Sequence, residues 1–111
     1  MSNIYKNAFY VPTTTAQTTV YTSNATTRAI IQNIQLTNTS GSKDVNVYIY
    51  DNSTSSTNLI AHASISGPTI CNVAKGPIIL EENDAIVIDT SSTSNITAVL
   101  SILEINRGLA T

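Results

Sequence analysis

Three kinds of side chain in this sequence could carry chemistry: a single histidine, a single cysteine and a short run of carboxylates. A Ser-His-Asp triad would have to use His62, which sits in the alternating stretch Leu59-Ile60-Ala61-His62-Ala63-Ser64-Ile65. A histidine on a strand face reads as structural unless a nucleophile and an orienting carboxylate converge on it. Cys71 would need a base to become a nucleophile, and His62 is the sole histidine available. The thiol reads instead as a small apolar core group, and one cysteine forms no intramolecular disulfide. A zinc site takes three or four Cys, His or carboxylate ligands, which one His and one Cys do not supply. Glu81, Glu82, Asp84 and Asp89 fall close together in the chain, and calcium takes oxygen ligands of this kind. The D-x-[DN]-x-[DN]-G loop is missing, so these acids read as a solvated hairpin connection. Glu81 and Asp84 could serve a glycosidase only across a defined cleft, and a chain without tryptophan has little to build one. No GxGxxG or P-loop occurs. The sequence therefore assigns no catalytic residue, no cofactor and no metal ligand, and reads as a non-enzyme.

Aromatic side chains are the other suggestive set. Tyr48 and Tyr50 alternate with Val47 and Ile49 and so share the opposite strand face. Tyr5, Phe9 and Tyr10 lie in the N-terminal segment. Exposed aromatics are enriched in interfaces, so these five residues are the candidate interface set. For Tyr48 and Tyr50 three readings stay open: cover for a sheet face, a protein interface, or a platform on which a sugar stacks.

The elements that must position these residues are strands. No stretch sustains an apolar period of 3.6, whereas several sustain a period of two. Extended segments are predicted at Ile4 to Val11, Val20 to Thr22, Arg28 to Asn38, Val45 to Tyr50, Leu59 to Ile65, Thr69 to Val73, Ile78 to Leu80, Ala85 to Asp89 and Ile96 to Ile105. In Arg28 to Asn38 the alternation places Ile30, Gln32, Ile34 and Leu36 on one face and Ile31, Asn33, Gln35 and Thr37 on the other. In Ile96 to Ile105 it places Ile96, Ala98, Leu100 and Ile102 together. The opposite face there is also partly apolar, as in a central or covered strand. Clusters such as Asn38-Thr39-Ser40-Gly41-Ser42 and Ser66-Gly67-Pro68 punctuate the strands. Asn83 suits a corner that needs positive φ. About eight short strands with turns every 8–12 residues predict an antiparallel β-sandwich of jelly-roll type. Residues 1–12 read as an N-terminal extended arm or edge strand, and residues 13–111 as one β-sandwich domain. The segment Ser2 to Val11, set off by Pro12 and a Thr-rich run and carrying Tyr5, Phe9 and Tyr10, is expected either to dock on a neighbouring subunit or to be the first edge strand.

Composition narrows the partners. The 111 residues include 30 Ser plus Thr and 12 Asn, against 7 acidic and 5 basic residues. Thr favours pleated surfaces, and Ser and Asn favour turns. The basic residues Lys6, Arg28, Lys43, Lys75 and Arg107 are scattered, and phosphate backbones are bound by clustered positive charge; nucleic acid is not an expected partner. No apolar run reaches the roughly 20 residues that span a bilayer, and the first residues do not read as a signal peptide. A formal net charge of −2 gives weak self-repulsion, which suits a chain that packs against copies of itself.

The order Tyr5-Lys6-Asn7-Ala8-Phe9, Thr19-Val20-Tyr21-Thr22, Arg28 through Ser40 with its "IQLTNTS", Val45 through Asp51, the "GPIILEENDAI" corner and the closing Val99 to Ile105 resembles the small β-sandwich virion proteins of tailed bacteriophages. The likeness runs from about residue 4 to 106. Relatives commonly carry Gly at the position of Asn83. The resemblance implies a non-enzymatic capsid decoration (cement) protein that binds and stabilises the major capsid lattice, or else a neck, tail or fibre component. It implies other virion proteins as partners, a homo-oligomer with a trimer favoured, and residence in the virion after synthesis in the cytoplasm of a host bacterium. A carbohydrate-binding, receptor-recognising module is the alternative.

Overall fold

A computed structural model describes residues 2–74 and 76–106. The described residues form nine strands: β1 (Ser2–Tyr10), β2 (Thr18–Thr22), β3 (Thr27–Asn38), β4 (Ser42–Asp51), β5 (Ser56–Ser66), β6 (Thr69–Asn72), β7 (Ile78–Leu80), β8 (Ala85–Thr90) and β9 (Ile96–Asn106). All pairings are antiparallel. The larger sheet runs β1-β9-β3-β6, with β7 also on β3, and the smaller runs β2-β8-β4-β5. The expectation was about eight strands. Nine extended segments were predicted, and these counts are reconciled because β6 pairs with Gln35–Asn38 of β3 and β7 with Ala29–Ile31 of the same strand. The two are halves of one interrupted strand. Counted as one, they leave eight strands in jelly-roll order, with the chain passing repeatedly from one sheet to the other.

The inner faces carry the core. Ile31, Ile34, Leu36, Leu80, Ile86, Ile88, Leu100 and Ile102 are the largest fully buried apolar side chains. They come from both sheets, so each sheet hides its apolar face against the other. In β9 the predicted set Ile96, Ala98, Leu100 and Ile102 points inward, and β9 is central, between β1 and β3. In β4, Val45 and Val47 are buried and Ile49 packs against the core.

β3 departs from the predicted alternation. Ile31, not Ile30, shares the inner face with Ile34 and Leu36. The register against β9 shifts between Ile31 and Asn33, leaving Gln32 without a partner. This β-bulge inserts one residue and so reverses the phase of every side chain beyond it. Strict counting through Gln32 puts Ile30 on the wrong face.

Local chemistry sets the corners. Asn83 has φ 68° and Gly41 has φ 75°, the left-handed region that Asn and Gly enter most readily. Asn38 is fully buried, and its Nδ2 donates to the carbonyls of Gly41 (2.7 Å) and Ile65 (2.9 Å) while its Oδ1 accepts from Ser40 N (3.2 Å). A buried amide satisfied on both sides locks the β3–β4 turn to the end of β5. The backbone of Gly67 lies so close that a Cβ there would stand 2.7 Å from Ser40 N.

β1 pairs with β9 from Ser2 to Tyr10, residue for residue. The N-terminal segment is thus an edge strand of the larger sheet.

Candidate functional site

The polar residues that could have been catalytic are held in structural hydrogen bonds. His62 Nδ1 lies 2.6 Å from Asn46 Oδ1. Asn46 Nδ2 donates to Asp89 Oδ1 at 2.9 Å, and Tyr48 Oη donates to Asp89 Oδ2 at 2.7 Å. Hydrogen bonding to the Asp89 carboxylate, followed by desolvation, pushes the Tyr48 phenol above its ordinary pKa. Asp84 is buried, and its carboxylate accepts from the backbone N–H groups of Asn52 (3.0 Å) and Glu81 (3.1 Å). It ties two loops together; it is not the solvated acid expected. Cys71 is half-buried on β6 and borders, with His62, an open groove of about 390 Å³ that no carboxylate lines. Among the described residues no group of three His, Cys, Asp or Glu side chains is placed to hold a metal ion.

The candidate interface aromatics fall into three environments. Tyr10 is only 7% exposed and belongs to the core. It faces inward because β1 alternates in step with β9, where its partner is Ala98. Its place in the candidate interface is therefore corrected: the ring packs inside the sandwich. Tyr5 and Phe9, on the other face of β1, are 76% and 66% exposed.

Tyr5 is not isolated. The register pairs it with Leu103 of β9, Leu103 with Ile30 of β3, and Ile30 with Ile79 of β7. These four residues form an apolar row straight across the outer face of the larger sheet. Ile79 is 62% exposed. Phe9 pairs with Val99 two positions along, which widens the patch. The rows between are uncharged, as in Asn7–Ser101–Asn33. Arg28 is the charged residue on this face among the described ones, and its side chain turns to Glu82 (3.1 Å) and Glu81 (3.8 Å). Sequence reasoning found Tyr5 and Phe9 but missed Ile30, Leu103 and Ile79. The one signal pointing to them was the second apolar face of the last strand.

Tyr48 and Tyr50 lie on the outer face of the smaller sheet, half-buried. Two register rows meet here: Thr19–Val87–Tyr48–Leu59 and Thr22–Ala85–Tyr50–Thr57. Between them is a depression of about 390 Å³. Ala85 and Val87 form its floor, and Tyr50 and polar side chains rise around it.

At the flank between the sheets, Tyr21 of β2 donates a hydrogen bond to Glu104 of β9. Lys6 of β1 pairs with the same carboxylate at 3.5 Å and lies 5.7 Å from the centre of the Tyr21 ring. Burial, then the bond to Glu104, pushes the Tyr21 phenol well above its ordinary range. Nothing in the spacing of these residues announces the cluster.

No protein-family model and no curated protein matches the sequence. Among solved structures, the chain is similar to a Bacillus endospore appendage protein from a family of disulfide-linked pili, at 10% identity and TM-score 0.58, over 96% of this chain and 87% of that one. It is more distantly similar to a structure of infectious bursal disease virus, Gx strain, at 10% identity and TM-score 0.48, over 96% of this chain and 30% of that one. A Clostridium thermocellum xylanase containing a CBM22 module gives 15% identity and TM-score 0.43, over 81% of this chain and 18% of that one. The first likeness supports a shared β-sandwich fold, and at these identities the likeness speaks to fold alone.

Proposed function

We propose that this chain is a non-enzymatic structural protein of a virion, a capsid decoration protein that packs on the major capsid lattice through the outer face of its larger sheet. The observation that carries this reading is the row Tyr5–Leu103–Ile30–Ile79. A soluble monomer rarely leaves a contiguous apolar band of this kind uncovered, and such bands mark contact surfaces. Phe9, Val99 and Ile105 add to the apolar surface, and the remaining side chains are mostly hydroxyl and amide apart from the ion-paired Arg28. Interface cores are depleted in charge and enriched in aromatics, and this face has that composition while the opposite face carries Asp44, Asp89 and His62. The capsid lattice is favoured as the occupant by the resemblance to virion proteins of tailed phages. That a spore-appendage pilus protein has a similar fold fits a sandwich used as a building block.

The chain is made in the cytoplasm of the host bacterium and resides in the virion. It associates as a trimer that matches a three-fold lattice site. Light scattering of the purified protein, alone and mixed with capsids lacking it, tests the reading. Trimers that bind such capsids saturably are expected. Monomers or larger rings without capsid binding contradict head decoration and move the protein to the neck, tail or fibre.

A further inference from the structure

The face opposite the proposed docking surface holds a binding site of its own. The geometry points to the depression on the outer face of the smaller sheet as a site for a neutral saccharide, with Tyr50 as the stacking platform and Gln17, Thr22, Thr57 and Asn83 as its hydrogen-bonding rim.

Size comes first. At about 390 Å³ the depression lies within the range of small-ligand sites, roughly 300–1,000 Å³. Its chemistry narrows the ligand class. None of the lining side chains is charged. An anionic ligand such as a phosphate or sulfate ester is held by Arg, Lys or converging backbone donors, and no basic side chain lines this site. A purely apolar ligand would leave the hydroxyls and amides of the rim desolvated without partners, which is costly. A neutral sugar meets both conditions. Its hydroxyls donate and accept, as do Thr and amide side chains. Its C–H face is apolar and packs against the electron-rich face of an aromatic ring.

Of the rim groups, Gln17 already hydrogen-bonds the side chain of Tyr48, and the others are available. Thr22, Thr57, Asn83 and Tyr50 make no side-chain hydrogen bond to other described residues. The nearest carboxylate on this face, Asp89, is already engaged by Asn46 and Tyr48 and stays out of the site. The floor is rigid, because Ala85 and Val87 belong to β8, which is hydrogen-bonded on both sides by β2 and β4. Val87 is only 7% exposed although it faces outward, so neighbouring side chains hold it in place. Asn83 is fixed at the rim by its left-handed corner at the start of β8.

Position adds to the case. The two outer faces of a sandwich look in opposite directions. A subunit seated by its larger sheet presents this depression to the medium, so binding here needs no release from the assembly. The site nonetheless stands without that reading, because the isolated protein is sufficient to test it.

The test is an array of neutral, sialylated and sulfated oligosaccharides probed with the full chain, followed by titration of the best neutral oligosaccharide monitored through backbone amide chemical shifts. Saturable binding is expected, with shifts centred on residues 17–22, 50, 57 and 83–87. Tyr50→Ala should weaken it about tenfold or more, equivalent to roughly 1.4 kcal/mol. Asn83→Gly keeps the positive-φ corner while removing the amide, and should weaken binding about threefold. Thr57→Val should do the same, so the test survives a poorly folded Tyr50→Ala protein. Tyr5→Ser, on the opposite face, should leave affinity unchanged. The inference is overturned if no neutral oligosaccharide binds, if only acidic glycans bind, or if shifts and affinities ignore these positions.

Discussion

At the scale of single residues, Tyr21 shows how one buried hydroxyl couples the sheets to pH. Its phenol is desolvated and bonded to Glu104, with Lys6 alongside, and its pKa is raised. A raised folded-state pKa means that the stabilisation is fully present below the unfolded value, about 10, and is lost as pH climbs above it. Between those values the unfolded phenol releases a proton that the folded one keeps, so stability falls with rising pH. Urea unfolding at pH 9, 10 and 11 should show wild type losing stability above pH 10 that Tyr21→Phe does not lose. Parallel curves for the two proteins would show that the phenol does not titrate in this way. Tyr48, whose phenol is also raised by Asp89, is kept in both proteins and so cancels. Legibility at this scale was uneven. Asn83 was readable as a positive-φ corner because few residue types accept that conformation. Tyr10 was not readable as core, because a tyrosine in an N-terminal segment looks alike whether it faces in or out. The Tyr21–Glu104–Lys6 cluster joins residues up to 98 positions apart in sequence and leaves no local trace.

At the scale of elements, most strands were legible because a half-buried strand writes its burial into a period of two. β4 and β9 have the predicted inward sets. β3 departs from that period: Ile30 and Ile31 are adjacent and equally apolar, so the sequence does not mark which of them faces inward, nor the bulge at Gln32. The bulge makes an unusual prediction. Gln32 is exposed and unpaired. Deleting it brings Asn33 next to Ile31, and regular alternation then keeps Ile31, Ile34 and Leu36 on the inner face. The deletion variant should fold with a loss of no more than about 2 kcal/mol, within the ordinary range for single changes. Deleting Gln35 instead turns Leu36 outward, and that chain should fail to fold. Circular dichroism and urea unfolding of the two deletions check this, and equal behaviour would contradict the account of the bulge. β7 was legible as a strand, but its joining of β6 on one neighbour was not, because pairing partners are not encoded in periodicity.

At the scale of the whole molecule, the β-sandwich class followed from composition and strand spacing, while the strand order did not. The proposed docking face depends on the order. The apolar row on the larger sheet draws Tyr5, Leu103, Ile30 and Ile79 from four strands, and only the register brings them side by side. The same topology leaves β1 as a nine-residue edge without proline, and edges of this kind pair readily with other chains. The molecule is elongated, 51 × 26 × 23 Å, with one face carrying the apolar row and, as its charged side chain among the described residues, the ion-paired Arg28, and the other carrying the polar network and the depression. Such an object has one side suited to being covered and one suited to display. The most direct measurement is saturation binding to capsids lacking the protein, wild type against the Tyr5→Ser/Ile79→Ser double variant. Both substituted side chains are largely exposed, so the variant should melt within a few degrees of wild type. Interface anchors contribute about 2 kcal/mol each, so its affinity should fall roughly a hundredfold or more. A folded double variant that binds the capsid as tightly as wild type would contradict the assignment of this face as the docking surface.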